Sequence, residues 1–154
     1  MNAHPWFFRL SLVATAMALC VVVLGAWVRL TDAGLGCPDW PGCYGQWDVP
    51  NTEAAIAAAN EAFPDTPVNV GKGWREMVHR YLASALGLLI VGLGVFAWRH
   101  RHRPGQPWRV PLLLIALVCF QGVLGAWTVT WQLKPAVVTA HLLGGLTTLS
   151  LLWW

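Results

Sequence analysis

Val23-Leu24-Gly25-Ala26-Trp27 recurs as Val123-Leu124-Gly125-Ala126-Trp127, five consecutive identities at a spacing of 100 residues. Chance rarely gives this, even in apolar sequence. Each copy closes a long apolar run. Each is followed by a loop and then by a second apolar run with a histidine at its start, His79 in one case and His141 in the other. The unit is helix–loop–helix–His, written twice. With two crossings per unit, both copies insert the same way up, and parallel repeats of this kind are related by an axis along the membrane normal. The fold class that follows is all-α: an integral membrane four-helix bundle made of two parallel helix–loop–helix repeats. The axis sets His79 and His141 at equal depth, facing each other.

Composition supports a membrane chain. Of 154 residues, 56% are apolar and 11% charged, against about 25% charged in soluble domains. The four apolar runs, about 7–28, 79–98, 111–129 and 136–154, are each near the roughly 20 residues that cross a hydrocarbon core. Residues 1–154 therefore read as a single transmembrane domain. The first run is longer than the 7–15-residue core of a signal peptide and no A-x-A-like site follows promptly, so it reads as an uncleaved helix. The chain ends on Leu151-Leu152-Trp153-Trp154 without a polar flank, which predicts the front part of a longer protein.

Charge and tryptophan give the orientation. The link Arg99-His100-Arg101-His102-Arg103 with Arg109 holds no acid, while all seven acids fall between Asp32 and Glu76. The positive-inside rule puts the first link in the cytoplasm, the long loop 29–75 outside and both ends inside. Trp6, Trp98, Trp108, Trp153 and Trp154 then mark the inner boundary, and Trp27, Trp74, Trp127 and Trp131 the outer one, as interfacial belts do. The net charge of +3 is largely this topological signal and does not point to nucleic acid.

An ionisable residue inside a bilayer is a functional candidate by default. One such histidine is more often a packing residue, but two at repeat-equivalent positions are what a six-coordinate haem iron takes from a protein. Ala83 and Gly87 follow His79 on its face, and Gly145 follows His141. Small residues admit either a flat ligand or a neighbouring helix. His4, His100 and His102 lie at the inner flank and read as solvated.

The long outer loop exceeds a simple connector. Thr52 can cap a short helix through Phe63, with Glu53 in its first turn and Pro64 after its end. Ile56, Ala59 and Phe63 would share a face turned to the bilayer, to a site or to solvent. Cys37 and Cys43 bound a Pro- and Gly-containing turn on the oxidising side, which predicts a disulfide. It serves as a staple, or as a redox pair exchanging with a partner thiol. Zinc would need more ligands nearby. Cys20 and Cys119 fall within apolar runs and read as small hydrophobes.

Glu76-Met77-Val78-His79-Arg80 is the densest chemical cluster. Glu76 shares a helix face with His79. It could exchange a proton at a ligand held there, or it could serve a helix amino terminus and pair with Arg80 four residues on. Arg80 in turn could pair with a haem propionate or snorkel.

Three motifs carry a resemblance. Leu30-Thr31-Asp32-Ala33-Gly34-Leu35-Gly36-Cys37-Pro38-Asp39-Trp40-Pro41-Gly42-Cys43 resembles the first-loop signature of haem A synthases, approximately R-L-T-x-[SA]-G-L-[SG]-C-P-[DG]-W-P-x-C. Glu76 to Arg80 is similar to that family's E-x-x-H-R motif, and Thr139-Ala140-His141-Leu142 to its His-bearing fourth helix. The resemblance implies a haem-modifying oxidoreductase of the bacterial inner membrane. Such an enzyme converts the haem O methyl group, through an alcohol, to the formyl group of haem A for terminal oxidases. It implies Glu76 as the catalytic carboxylate, His79 and His141 as iron ligands, Arg80 as a haem contact and Cys37–Cys43 as the outer disulfide. Bound haem would be haem O as substrate or haem b as cofactor, and the farnesylating haem O synthase is an implied partner. Members usually have eight helices in two similar halves. A chain with only the front half is a fragment, or a compact form that assembles as a homo-oligomer. Two other classes suit the same residues: a bis-His b-type electron carrier, and a quinone-linked thiol oxidoreductase, which would need a second outer cysteine pair. A purely structural subunit leaves Glu76 and both histidines unexplained.

Overall fold

The structure is a computed structural model, and it describes residues 5–153. His4 and Trp154, assigned above to the inner flank, lie outside the described residues. The described chain is all-helical: α1 Pro5–Leu30, α2 Glu53–Ala62, α3 Val70–Arg99, α4 Arg109–Thr130 and α5 Pro135–Trp153. All but α2 are long and apolar enough to cross a membrane, and the chain is a multi-pass membrane protein. The four spans form a square. Each packs on two neighbours, α1 on α3 and α5, α4 on α3 and α5. Among the described residues the diagonals α1/α4 and α3/α5 nowhere bring Cα atoms within 8 Å.

Lipid supplies no hydrophobic force between helices, so close packing must hold them. Ala14, Ala18 and Ala97 are almost fully buried and let the helices approach, with Phe7, Leu86, Ile90, Leu93 and Leu114 filling the space between. This core occupies the half of the bundle near the Arg-rich link. Thr15 Oγ1 donates to the Leu152 carbonyl at 3.1 Å and ties α1 to α5 there.

At the opposite end, α1 and α4 stop in the same way. Asp32 N–H donates to Arg29 O and Ala33 N–H to Val28 O; Gln132 N–H donates to Val129 O and Leu133 N–H to Thr128 O. Asp32 and Gln132 take φ of 52° and 48°. These are Schellman caps, which satisfy the last carbonyls of a helix through one left-handed residue. The two caps stand 100 residues apart.

The apolar run of α3 starts at about 79, but the helix starts nine residues earlier, at Val70. The added turns are polar and stay helical because Asn69 caps them, accepting from Lys72 N–H at 3.0 Å, and because the first loop packs along them. His79 therefore sits within α3 rather than at its beginning. The loop has its own small core of Cys37, Cys43, Tyr44, Val49, Ala59 and Met77. The helix expected after Thr52 is α2, with the Thr52 side chain accepting from Ala55 N–H. Ala59 and Phe63 face this loop core, so α2 buries its apolar face in the loop.

One cation holds the loop down. Arg80 Nη1 donates to the carbonyls of Asp39, at 2.9 Å, and of Gly42, at 2.5 Å, while Nη2 meets Glu76 Oε1 at 2.5 Å. The Glu76 and Arg80 side chains are only 5% and 11% exposed. Removing one partner of a buried ion pair leaves an uncompensated charge and costs about 3–5 kcal/mol. Arg80→Ala is expected to free the loop, making residues 31–69 cleavable by a protease that spares the native protein. An unchanged cleavage pattern would show that the loop is held by something else.

Candidate functional site

The histidine level lies between the two apolar cores. His79 is nine residues from the loop end of α3 and His141 six from that of α5, about 13 and 9 Å at 1.5 Å per residue. They stand on diagonally opposite helices. Each has a buried Nδ1 without a hydrogen-bond partner. Buried polar atoms in native proteins are normally paired, so two orphan imidazole nitrogens within one bundle mark a candidate binding place.

The repeated pentapeptide supports these rings. Gly25 and Gly125 each lie five residues before the end of their helix, α1 and α4. A Cβ on Gly25 would sit 2.9 Å from His79 Cε1 and 3.5 Å from both ring nitrogens, and one on Gly125 would sit 3.6 Å from His141 Cε1. At Gly25 the missing side chain makes room for the imidazole, whereas at Gly125 a Cβ would be in ordinary contact with the ring. The other small residues divide. A Cβ on Gly87 would meet nothing within 4 Å, whereas Gly145 packs against Val22 of α1, which is helix packing.

Glu76 lies one turn toward the loop from His79. Its Oε2 accepts from the Cys37 N–H at 3.0 Å, and its Oε1 takes Arg80. The structure thus realises the ion-pair spacing and adds a loop contact invisible in the sequence. Loop and helix meet so closely at Gly36 that a Cβ there would fall 2.5 Å from the Lys72 carbonyl carbon. In the structure Arg80 donates to the loop carbonyls and to Glu76 through Nη1 and Nη2.

Cys37 and Cys43 form a disulfide, and both are fully buried. Cys20 and Cys119 are free and lie on the spans. Closed within the loop core, the disulfide joins the two ends of the turn that Arg80 holds. The Asp39 carboxylate organises the same turn, accepting from Tyr44 and Gly45 N–H at 2.6 and 2.8 Å. Burial, then the Asp39 and Glu76 carboxylates, pushes the Tyr44 phenol above its ordinary value. Lys72, 2.7 Å from Asp32, holds that carboxyl below the usual range. At the other end His100 is not simply solvated: its Nδ1 lies 2.9 Å from Phe96 O and its ring stacks on Phe96.

Among the described residues no three side chains of metal-ligating type cluster, so a bare metal ion has no cage. A haem brings four nitrogens of its own and asks the protein for two axial ligands, which the facing imidazoles can offer.

Fold and site together define a four-span helical membrane protein with a paired-histidine centre under a disulfide-stapled loop. The chain belongs to the cytochrome oxidase assembly protein family, whose model matches residues 8–154. It is 47% identical over 147 residues to the heme A synthase of Shewanella oneidensis, covering 96% of this chain and 43% of that protein. It is 31% identical to the heme A synthase of Hyphomonas neptunium, over 83% of this chain and 40% of that protein. For that of Shouchella clausii the identity is 28%, over 90% and 40%. The chain thus spans less than half the length of these relatives. No solved structure matches it.

The two glycines differ in tightness, and this gives an asymmetric expectation. Gly25→Ala forces His79 aside, and overpacking of this kind costs about 1–3 kcal/mol. Gly125→Ala meets only ordinary contact, and its gain in helix propensity makes it neutral to about 1 kcal/mol stabilising. Thermal unfolding in detergent measures both. Equal effects would mean that the imidazoles do not rest on these glycines.

Proposed function

We propose that this chain is the front half of a haem A synthase, a single transmembrane domain over residues 1–154 of an eight-helix protein. The enzyme oxidises the methyl substituent of haem O to the formyl group of haem A. The observation that carries the proposal is the pair of buried, unpartnered imidazole nitrogens on the diagonally placed α3 and α5. The family and the names of the relatives agree with it.

In this scheme His79 and His141 hold the porphyrin iron, and Gly25 and Gly125 admit their rings. When bound, haem supplies the methyl carbon to be oxidised, as substrate, or an electron-carrying iron, as cofactor. Glu76 is the carboxylate that exchanges a proton at the porphyrin edge. An ionised carboxylate has about four acceptor positions; Arg80 and the Cys37 N–H fill two and fix its direction, leaving others for a substrate proton. The disulfide and Arg80 keep the loop over this end of the bundle and limit the entry of water. In this reading the membrane is the bacterial inner membrane, and the charge bias supports a loop outside and an Arg-rich link in the cytoplasm. Haem O would arrive from an enzyme that farnesylates haem.

Two measurements test this. With added haem, the wild type is expected to show the optical and magnetic spectrum of a low-spin bis-His iron, and His79→Ala and His141→Ala each to lose it. A spectrum unchanged in either variant would remove that residue from the iron. In the full-length enzyme, Glu76→Ala is expected to keep haem bound while methyl oxidation falls at least about 100-fold, within the usual range for a lost acid–base group. Extracted haems report the product, and unchanged haem A would remove Glu76 from the mechanism.

A further inference from the structure

Gln121 breaks the likeness between the two halves. It stands on α4, four residues before Gly125, while the position 100 residues earlier, before Gly25 on α1, is Val21. It is the only Asn or Gln in the four long helices. Its Nε2 is buried and has no hydrogen-bond partner. The amide fits a slot in α5 that exists because residue 144 is glycine, since a Cβ there would lie 1.6 Å from Nε2. Gly144 follows His141 by three residues, on the same helix face. Gln121 and Gly144 are each nine residues from the loop ends of α4 and α5, against six for His141. An unspent donor therefore sits one turn from Gly125, the glycine beside His141, and about 4 Å farther than His141 from the loop ends of their helices. Amide side chains inside a bundle ordinarily hydrogen-bond across helices, and this one makes no such bond.

We propose that Gln121 is a specificity-determining residue whose amide N–H donates to a hydroxyl next to the porphyrin ring, a group that haem O carries and haem B lacks. The proposal rests on the haem reading above. Two histidines and two glycines related by a repeat cannot distinguish one edge of a porphyrin from another, whereas one amide on α4 facing a valine on α1 can. The carboxylates of a porphyrin seek the aqueous loop end, which turns the opposite edge toward the depth of Gln121. That edge bears a hydroxyl in haem O, which accepts from an amide, and a vinyl group in haem B, which accepts nothing.

The test is optical titration of haem O and of haem B into the purified full chain, wild type and Gln121→Leu, which removes the donor and keeps the bulk. The farnesyl tail raises haem O affinity in both proteins, so the change in the haem O to haem B affinity ratio isolates the hydroxyl. The ratio is expected to fall about 10-fold in the variant, the scale of one buried hydrogen bond, with haem B affinity unchanged. Gln121→Met gives the same comparison should leucine unfold the bundle. An unchanged ratio, or equal weakening of both haems, overturns the role of Gln121 while leaving haem binding intact. Failure of the wild type to bind either haem overturns the haem reading itself, and this inference with it.

Discussion

The Glu76–Arg80 ion pair joins the two parts of this molecule. It lies where a polar loop meets an apolar bundle, and each member is spent on both sides of that boundary. Glu76 takes the Cys37 N–H and Arg80 takes the Asp39 and Gly42 carbonyls, so the loop backbone is satisfied by a helix side chain. Buried backbone groups must find partners somewhere, and here a charged pair supplies them at the head of a membrane span. The long polar start of α3 exists to carry this pair.

Between the loop core and the bundle core lies a layer with different contents. Above it, packing is by Cys37, Val49 and Met77; below it, by Ile90, Leu93 and Ala97. In the layer itself the contacts are imidazole on glycine and amide on glycine. Without a hydrophobic force between spans, such a layer adds little to stability. Its retention of polar atoms without partners is understandable as a binding level, since sites commonly break local packing rules that the rest of the fold obeys.

Much of the fold was legible in the sequence because membranes constrain it heavily. Run length gave the spans, and Thr52, Glu53 and Pro64 gave α2. The start of α3 was hidden because hydropathy tracks the lipid boundary and not the helix: residues 70–78 are helical through the Asn69 cap and loop packing. His79 and His141 could be singled out as ionisable groups in apolar surroundings, and Glu76 through its spacing to Arg80. The Arg80 contacts to loop carbonyls could not be foreseen, since they join residues about 40 positions apart. The repeated Gly25 and Gly125 were visible as letters, but only the ring contact explains why residue 25 is glycine. Gln121 carried a signal, an amide in an apolar run, that local pattern gave no way to weigh.

The loops after α1 and α4 differ greatly in length, yet they meet: a Cβ on Gly34 would lie 3.3 Å from the Leu133 side chain. One half of the chain therefore roofs both. With that roof stapled by Cys37–Cys43 and pinned by Arg80, the ends of α1 and α4 are tied to one rigid cover, so a disturbance in the long loop would be passed to both repeats.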